Sequence, residues 1–404
     1  MTCFCFDYVG LQTKGNKDEA TTPIGIYNGG QFVFRTGTMK IWNTIKTLWH
    51  YGLSLVRLNF RVNSDIKKFS TIYDMQAAGQ SFETVPDMLR AMGGDYLFQT
   101  TQISAQDFFQ KQLGYSERLV GELITAALRM NYGQNSQVDA FTTLVAMAGM
   151  EDGSLWSVVG GNRQIPERLL QRSNATFHLG DVRTIERVHN SGKISYNLKT
   201  DDEEIQQIPP EFDIVIIANP LNLSEVKFLN FPNAIYTSAS TTPFQQTVAN
   251  FIKGEINPSF FNLADYGSDF PLTILTTVLS NSPFEYRSVA IQIPSEVPGS
   301  KVHEYQKPIR DEPMRVWKVF SPAPLTDEQK EQMFQKIDDQ VTVDWEAYPV
   351  YNPPEDCPKF VLDDGMFYIN GIEKAASAME MSAIGAKNVA LLARDYLLKD
   401  NGVN

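Results

Sequence analysis

The chain has 404 residues, of which 43% are hydrophobic and 20% charged, enough apolar material for a large core and too much for a disordered chain. Its net charge of −12 argues against a phosphate-backbone partner, so no nucleic acid is expected. Cys3, Cys5 and Cys357 set no disulfide framework, and His50, His178, His189 and His303 are scattered without metal-ligand spacing, so no metal site is expected either.

Residues 1–24 form an atypical N-terminus. MTCFCFDYVGLQTKGNKDEATTP has no sustained hydrophobic period and ends in a charged, turn-rich stretch. It lacks the basic start and apolar run of a secretory signal, and no run along the chain reaches the length needed to cross a bilayer. Residues 25–150 are dominated by helical patterning. In MKIWNTIKTLWHYGLSLVRLNF, Trp42, Ile45, Trp49, Leu53 and Val56 share one helical face. A second helix is expected near Phe82, with Ser81 as the N-cap of a capping box and Gly93-Gly94 as its end. Ser116 then precedes a third amphipathic segment, ERLVGELITAALRM. This aromatic, helix-rich region is the natural place for an apolar pocket, with ordinary helical core as the competing reading for each residue.

Residues 151–224 change to strands. SLWSVVGGN ends in Gly160-Gly161 ahead of the helical IPERLLQ, so backbone can approach a ligand there, or the pair makes a plain tight turn. ATFHLGDVRTIERV and KISYNLKT read as strands about a turn at Asn190 to Gly192. FDIVIIANP is apolar from Ile214 to Ala218, as expected of a strand covered on both faces. Residues 225–359 mix strand-like runs, FIKGEI, LTILTTV, YRSVAIQI and RVWKVFS, with a long Pro-rich solvent loop from Pro294 to Pro313. TDEQKEQMFQKI is expected as a surface helix capped by Thr326.

Residues 360–398 are the most informative. Phe367 to Leu392 reads as a strand running through a turn at Gly371 into a small-residue helix, on which Ile372, Ala376, Met379, Ala383, Ala386, Ala390 and Leu397 share a face. Gly371 leaves room at the turn, and the N–H groups after it sit at the positive end of the helix dipole, where a phosphate or the electron-rich edge of a ring system is stabilised. An alanine-rich helix packed on a sheet is the competing reading.

The run YINGIE followed by SAMEMSAIGAKNVALLA resembles the C-terminal signature of amine-oxidase-type FAD enzymes, and its wording is similar to that of prenylcysteine oxidases. RMNYGQ (129–134), SLWSVVGGN (154–162), FDIVIIANPLN (212–222), LTTV (275–278) and VWKVFSPAPLT (316–326) are similar to segments of that family in the same order, so that the resemblance covers roughly residues 24 to 398. It implies an α/β fold, a Rossmann-like FAD-binding flavoprotein with a mixed substrate domain. The helix-rich 25–150 and the mixed 225–359 would shape the substrate site, while 151–224 and 360–398 would be parts of a discontinuous FAD domain. One element of the family is absent from the sequence. No two glycines are separated by a single residue, so the G-x-G-x-x-G fingerprint of the N-terminal βαβ unit is missing, and the chain reads as truncated ahead of Ile24.

The resemblance further implies FAD as cofactor, a prenylcysteine and O2 as reactants, and oxidative cleavage of a farnesyl- or geranylgeranyl-cysteine thioether to a prenyl aldehyde, cysteine and hydrogen peroxide. Gly160, Gly161 and Val182 would lie against the cofactor, Val182 beside the adenine. Gly371 and Ile372 match the turn that meets the pyrophosphate, Glu373 the acid that accepts from a ribityl hydroxyl, and Ala376 and Met379 the helix start beside the pyrimidine ring. Glu373 could instead have only the helix dipole as partner. Tyr132 and Gln134 are candidates for the flavin face or satisfied core polar groups. The family is lysosomal, and Asn174-Ala-Thr and Asn222-Leu-Ser are possible glycosylation sites. A non-catalytic prenyl- or protein-binding relative and another FAD amine or polyamine oxidase remain as alternatives.

Overall fold

A computed structural model describes residues 8–15, 23–37, 39–149, 156–190, 192–200, 211–232, 235, 242–267, 269–278 and 282–400. Cys3, Cys5 and most of the atypical N-terminus lie outside them.

The helical patterning of the first third is realised as α1 (Lys40–Tyr51), α2 (Leu53–Phe69), α3 (Thr71–Ala77), α4 (Val85–Gln99), α5 (Thr125–Tyr132) and α6 (Ala140–Ala148). Gly52, at φ 62°, breaks α1 from α2, a conformation that a side chain would strain. The N-cap of α4 is Thr84, which accepts from the Asp87 amide, and not Ser81. Pro86 settles this, because it favours the first turn, where no N–H is needed. Gly93 and Gly94 leave helical geometry as expected, although helix resumes to Gln99. Further along stand α7 (Gln164–Ser173), α8 (Asp327–Met333) and α9 (Met379–Asp400). The Thr326 capping box forms, but α8 stops at Met333 and the remaining FQKI of the expected helix is strand. Pairing with a long neighbouring strand overrides local helix preference there.

The strands are β1 (Thr13–Gly15), β2 (Ile24–Tyr27), β3 (Phe32–Arg35), β4 (Trp156–Val158), β5 (Val182–Asn190), β6 (Lys193–Thr200), β7 (Val215–Ile217), β8 (Lys227–Leu229), β9 (Phe244–Ile256), β10 (Thr273–Thr276), β11 (Ser288–Ile291), β12 (Met314–Ser321), β13 (Phe334–Pro349), β14 (Val361–Asp363) and β15 (Met366–Tyr368). A seven-stranded sheet runs in the order β13-β9-β12-β11-β10-β2-β3, antiparallel except where β2 joins β10. The alternation in RVWKVFS sends Arg315, Trp317, Val319 and Ser321 into one buried face. That face packs Trp317 and Val319 with Ile252, Val289, Ile274, Tyr27 and Phe261.

The opposite face of this sheet is divided. At its β2–β10 end, Ile26 and Leu275 lie under the helical layer, in a cluster with Leu58, Leu119, Ile124 and Leu128. At its β9–β13 end the face is uncovered, leaving Val341, Val343 and Trp345 exposed.

FDIVIIANP supplies β7, which pairs in parallel with β15 and stands at the edge of a three-stranded sheet, β14-β15-β7. It is not covered on both faces. Val215 and Ile217 point into a cluster with Ile185, Tyr196, Met366 and Tyr368, while Ile216 is 44% exposed. That pairing joins residues 215–217 to residues 366–368 despite their separation in sequence.

Candidate functional site

The strand-turn-helix expected around Gly371 is present with a different internal boundary. After β15 the chain makes a 3-10 turn, Ile369–Lys374, and α9 starts only at Met379. The amides of Ala375 and Ala376 are bonded to Ile372 O at 3.0 and 3.2 Å, and that of Ser377 to the Tyr351 hydroxyl at 2.8 Å. These N–H groups therefore do not stand free at a helix terminus. The open first turn, whose amides have no carbonyl partner within the helix, begins at Met379, which is 55% exposed. The face of α9 that packs inward is Met381, Ile384, Gly385, Asn388, Val389 and Ala393, whereas Met379, Ala386, Ala390 and Leu397 face outward. The inferred helical register began seven residues early because the 3-10 turn and the residues after it interrupt it.

Gly371 is required by close approach: a Cβ there would lie 2.9 Å from Pro358 O. Ile372 and Ala376 are buried beneath the turn with Phe360, Phe367, Met381 and Ile384. Glu373 is half-buried and accepts from Asn370 Nδ2 at 3.1 Å, and burial holds its carboxyl above the usual range.

A polar network braces this turn from behind, and Tyr132 and Gln134 belong to it. Tyr132 Oη donates to Ser377 O at 3.0 Å. Tyr351 Oη donates to Glu373 O at 3.0 Å while accepting from Ser377 N–H. Gln134 ties the other end, donating to Pro349 O at 3.0 Å and accepting from the Tyr351 amide at 2.9 Å. Burial raises both phenols well above their ordinary value, so they remain neutral donors. Lys374 pairs with the buried Glu355 at 2.7 Å and donates to Val350 O. Asp139 is fully buried and caps α6, its Oδ1 accepting from the Thr142 amide at 2.8 Å. Desolvation pushes its carboxyl well up. A protonated Asp139 can donate from Oδ2 to Thr142 Oγ1 at 2.6 Å, freeing the Thr142 hydroxyl to donate to Ala375 O at 2.9 Å.

RMNYGQ thus fastens three layers together. Gly133 ends α5 at φ 65°, and the Arg287 guanidinium lies where its Cβ would be. Arg129 reaches Thr276 Oγ1 at 3.0 Å, Tyr286 O at 2.9 Å and the Glu285 carboxylate. Arg287 donates to Thr247 Oγ1 at 2.9 Å, and Thr247 pairs with Trp345 on the uncovered sheet face.

That face is an apolar surface distinct from the helix-rich region in which the sequence places an apolar pocket. Cross-strand pairing sets Lys318 beside Phe251 and Ala290, Val341 beside Phe251, and Phe320 and Val343 beside Ala249. Paired residues share a face, so Lys318, Phe320, Phe251, Val341, Val343 and Trp345 form one platform. The Lys318 ammonium sits 4.5 Å over the Phe320 ring, and desolvation lowers its pKa. The sequence reading missed Lys318 and Tyr351. The period-2 alternation of RVWKVFS was the available signal for the first, since it sets a lysine opposite Trp317 and Val319; Tyr351 carried none.

Of the remaining candidates, Val182 is linked to the turn through a shared cluster, whereas the contacts of Gly160 and Gly161 are with Ser295, Val158 and Gln164. Val182 opens β5 and packs on the cluster that holds Tyr368, the residue before the 3-10 turn. Gly160 and Gly161 make a positive-φ turn between β4 and α7, their amides bonded to Ser295 O and Val158 O at 2.9 and 3.0 Å.

Among solved structures, a cofactor-binding redesign of putrescine oxidase aligns with a TM-score of 0.54 at 12% identity, covering 98% of this chain and 85% of that one. Cyclohexylamine oxidase from Brevibacterium oxydans IH-35A aligns at 0.53 and 12%, with the same coverage. The mixed α/β architecture is therefore the fold of these amine oxidases. Prenylcysteine oxidase 1 of Bos taurus is 37% identical over 377 residues and that of Homo sapiens 38% over 377, each alignment spanning 92% of this chain and 72% of the relative. The Prenylcysteine lyase family model matches residues 34–402, and the chain belongs to that family.

Proposed function

We propose that this protein is an FAD-dependent oxidase that cleaves the thioether of a farnesyl- or geranylgeranyl-cysteine, giving a prenyl aldehyde, cysteine and hydrogen peroxide. The observation that carries this reading is the union of a rigidly braced turn and open helix head at 369–379 with an apolar platform on the adjoining sheet face. Family membership supports the substrate class.

The residues present fit a flavin. The open first turn of α9 favours the electron-rich edge of the pyrimidine ring, Glu373 can accept from a ribityl hydroxyl, and Gly371 lets the turn that carries them pack closely on the Pro358 carbonyl. Gly160, Gly161 and Val182 would complete the adenine side. When bound, FAD accepts the two electrons and the hydrogen removed from the carbon beside sulfur and passes them to O2. The chain's own work is positional. Phe251, Phe320, Val341, Val343 and Trp345 hold the prenyl chain and exclude water, burial supplying roughly 25 cal/mol per Å2. Lys318, whose ammonium is disfavoured by its surroundings, is the basic group placed to take up a proton as water adds at the oxidised carbon. Tyr132, Gln134 and Tyr351 fix the turn from behind, so the structure supports a positioning role for Tyr132 and Gln134 in this reading. A lysosomal setting follows the family resemblance, and exposed Asn174 just past α7 is the accessible glycosylation acceptor.

The test is to titrate the purified chain with FAD, following flavin fluorescence, and then to assay peroxide and aldehyde from S-farnesylcysteine at saturating FAD. The sequence has no G-x-G-x-x-G, so weak flavin affinity is expected. Peroxide from farnesylcysteine and none from spermine supports the proposal. The reverse result points to a polyamine oxidase, and prenylcysteine binding without flavin binding to a non-catalytic relative.

A further inference from the structure

Helix α1 is built inside out. Its polar side faces the protein: Asn43 exchanges hydrogen bonds with Gly37 at 2.7 Å, Thr47 bonds back to Asn43 O, and His50 meets Glu122 at 2.7 Å. Its apolar side faces water. Ile41, Trp42, Ile45, Leu48 and Trp49 are exposed, Trp49 by 85%, and the stripe continues past Gly52 along the first two turns of α2 through Leu53, Val56 and Phe60, 79% exposed at Leu53 and 74% at Phe60. This is the face that the sequence reading treated as pocket or core. The helices meet the remainder of the protein instead through Tyr51, Leu58 and Val62, which are buried in the helical layer. A contiguous exposed stripe of this size marks an interaction surface.

Charge selects what covers it. Residues 35–70 contain seven Lys or Arg against a single acidic residue, Asp65, within a chain whose net charge is −12. Lys46 is one turn beyond Trp42, Arg57 one turn beyond Leu53, and Lys67 two turns beyond Phe60, so exposed cations flank and extend the stripe, Lys46 and Arg57 while also donating to the Arg35 and Leu113 carbonyls. A second copy would bring this positive segment against itself. Trp and bulky aliphatics bordered by Lys and Arg are the signature of a helix lying in the headgroup region of an anionic bilayer. No helix among the described residues is long and apolar enough to cross a membrane, which makes the contact peripheral.

We propose that the stripe along α1 and α2 docks the protein on anionic membrane surfaces. Insertion of Trp42, Trp49, Leu53 and Phe60 at the headgroup boundary supplies the apolar contact, and Lys46, Arg57 and Lys67 supply attraction to acidic lipids. The inference does not depend on the flavin or on the substrate.

The experiment is co-sedimentation of the full chain with phosphatidylcholine vesicles, with and without phosphatidylserine, at low and high salt. Binding should require phosphatidylserine and weaken with salt. The triple variant Trp49→Glu, Leu53→Glu, Phe60→Glu should bind at least roughly tenfold more weakly with an unchanged melting temperature, because these side chains hold nothing in the fold. Charge reversal at Lys46, Arg57 and Lys67 should abolish the preference for phosphatidylserine. Brominated lipid should quench wild-type tryptophan emission, and less so in Trp42→Phe/Trp49→Phe. Absence of binding to either vesicle, or undiminished binding of the triple variant, overturns the proposal. So does a wild-type dimer in sedimentation equilibrium that the triple variant dissolves while vesicles capture neither protein, since the stripe would then be a protein interface.

Discussion

Replacing Tyr351 by Phe removes one oxygen that serves two peptide groups. Its hydroxyl donates to Glu373 O at 3.0 Å and accepts from the Ser377 amide at 2.8 Å, and the side chain is 4% exposed, so water has no ready access to either group. Each buried group left unsatisfied costs about 1–3 kcal/mol, giving about 2–6 kcal/mol for the pair. Tyr132→Phe removes a single bond, to Ser377 O at 3.0 Å, and leaves one group unsatisfied, so about 1–3 kcal/mol is expected. Both hydroxyls end on Ser377, and the double variant should therefore fall short of additivity. Urea unfolding followed by circular dichroism measures the three differences, with an unchanged m-value showing that the same unfolding is compared. Hydrogen exchange adds a local readout: peptides spanning 369–378 should exchange faster in Tyr351→Phe than in Tyr132→Phe. If Tyr351→Phe unfolds within about 0.5 kcal/mol of wild type and exchange across 369–378 is unaltered, the turn is held by burial of Ile372 and Ala376 alone and the bracing argument fails.

Three further outcomes are expected. Gly133→Ala should cost about 2 kcal/mol or more by urea unfolding, since it adds a Cβ at φ 65° where the Arg287 guanidinium already lies. Asp139 has a folded pKa raised above its ordinary 3.8, so its ionisation removes stability progressively as pH climbs from that value through the folded pKa. Asp139→Asn keeps the cap and cannot ionise; it should match or exceed wild-type stability above that window and lose the slope, while Asp139→Ala should cost about 1–2 kcal/mol throughout. Lys318 has a folded pKa below its ordinary 10.5, so its charge destabilises the fold at neutral pH, and the cost disappears as pH rises through the folded pKa toward 10.5. Lys318→Met should accordingly be more stable than wild type at neutral pH, with the difference shrinking at alkaline pH. Greater stability of the wild type at neutral pH would show that Lys318 is held by favourable contacts instead.

Local elements with short-range signals were legible in the residues: the Thr326 cap, the break at Gly93-Gly94, the strand RVWKVFS and the strand-turn-helix order around Gly371. The sequence also marked Tyr132, Gln134, Glu373 and Met379 through the family wording in which they fall. Tertiary structure decided which side of each element meets the protein. The period of α1 and α2 was plain, yet period names a face without naming its environment, and on α1 the polar face is the packed one while the apolar stripe it shares with α2 is exposed. The start of α9 was likewise undecidable locally, because the amides of Ala375 to Ser377 are claimed by Ile372 O and by the Tyr351 hydroxyl, and Tyr351 arrives from more than twenty residues upstream. The apolar platform was hidden for the same reason. Phe251, Lys318 and Val341 become neighbours only when β9, β12 and β13 pair, and hydrogen bonding between strands sets that register, which no single strand contains.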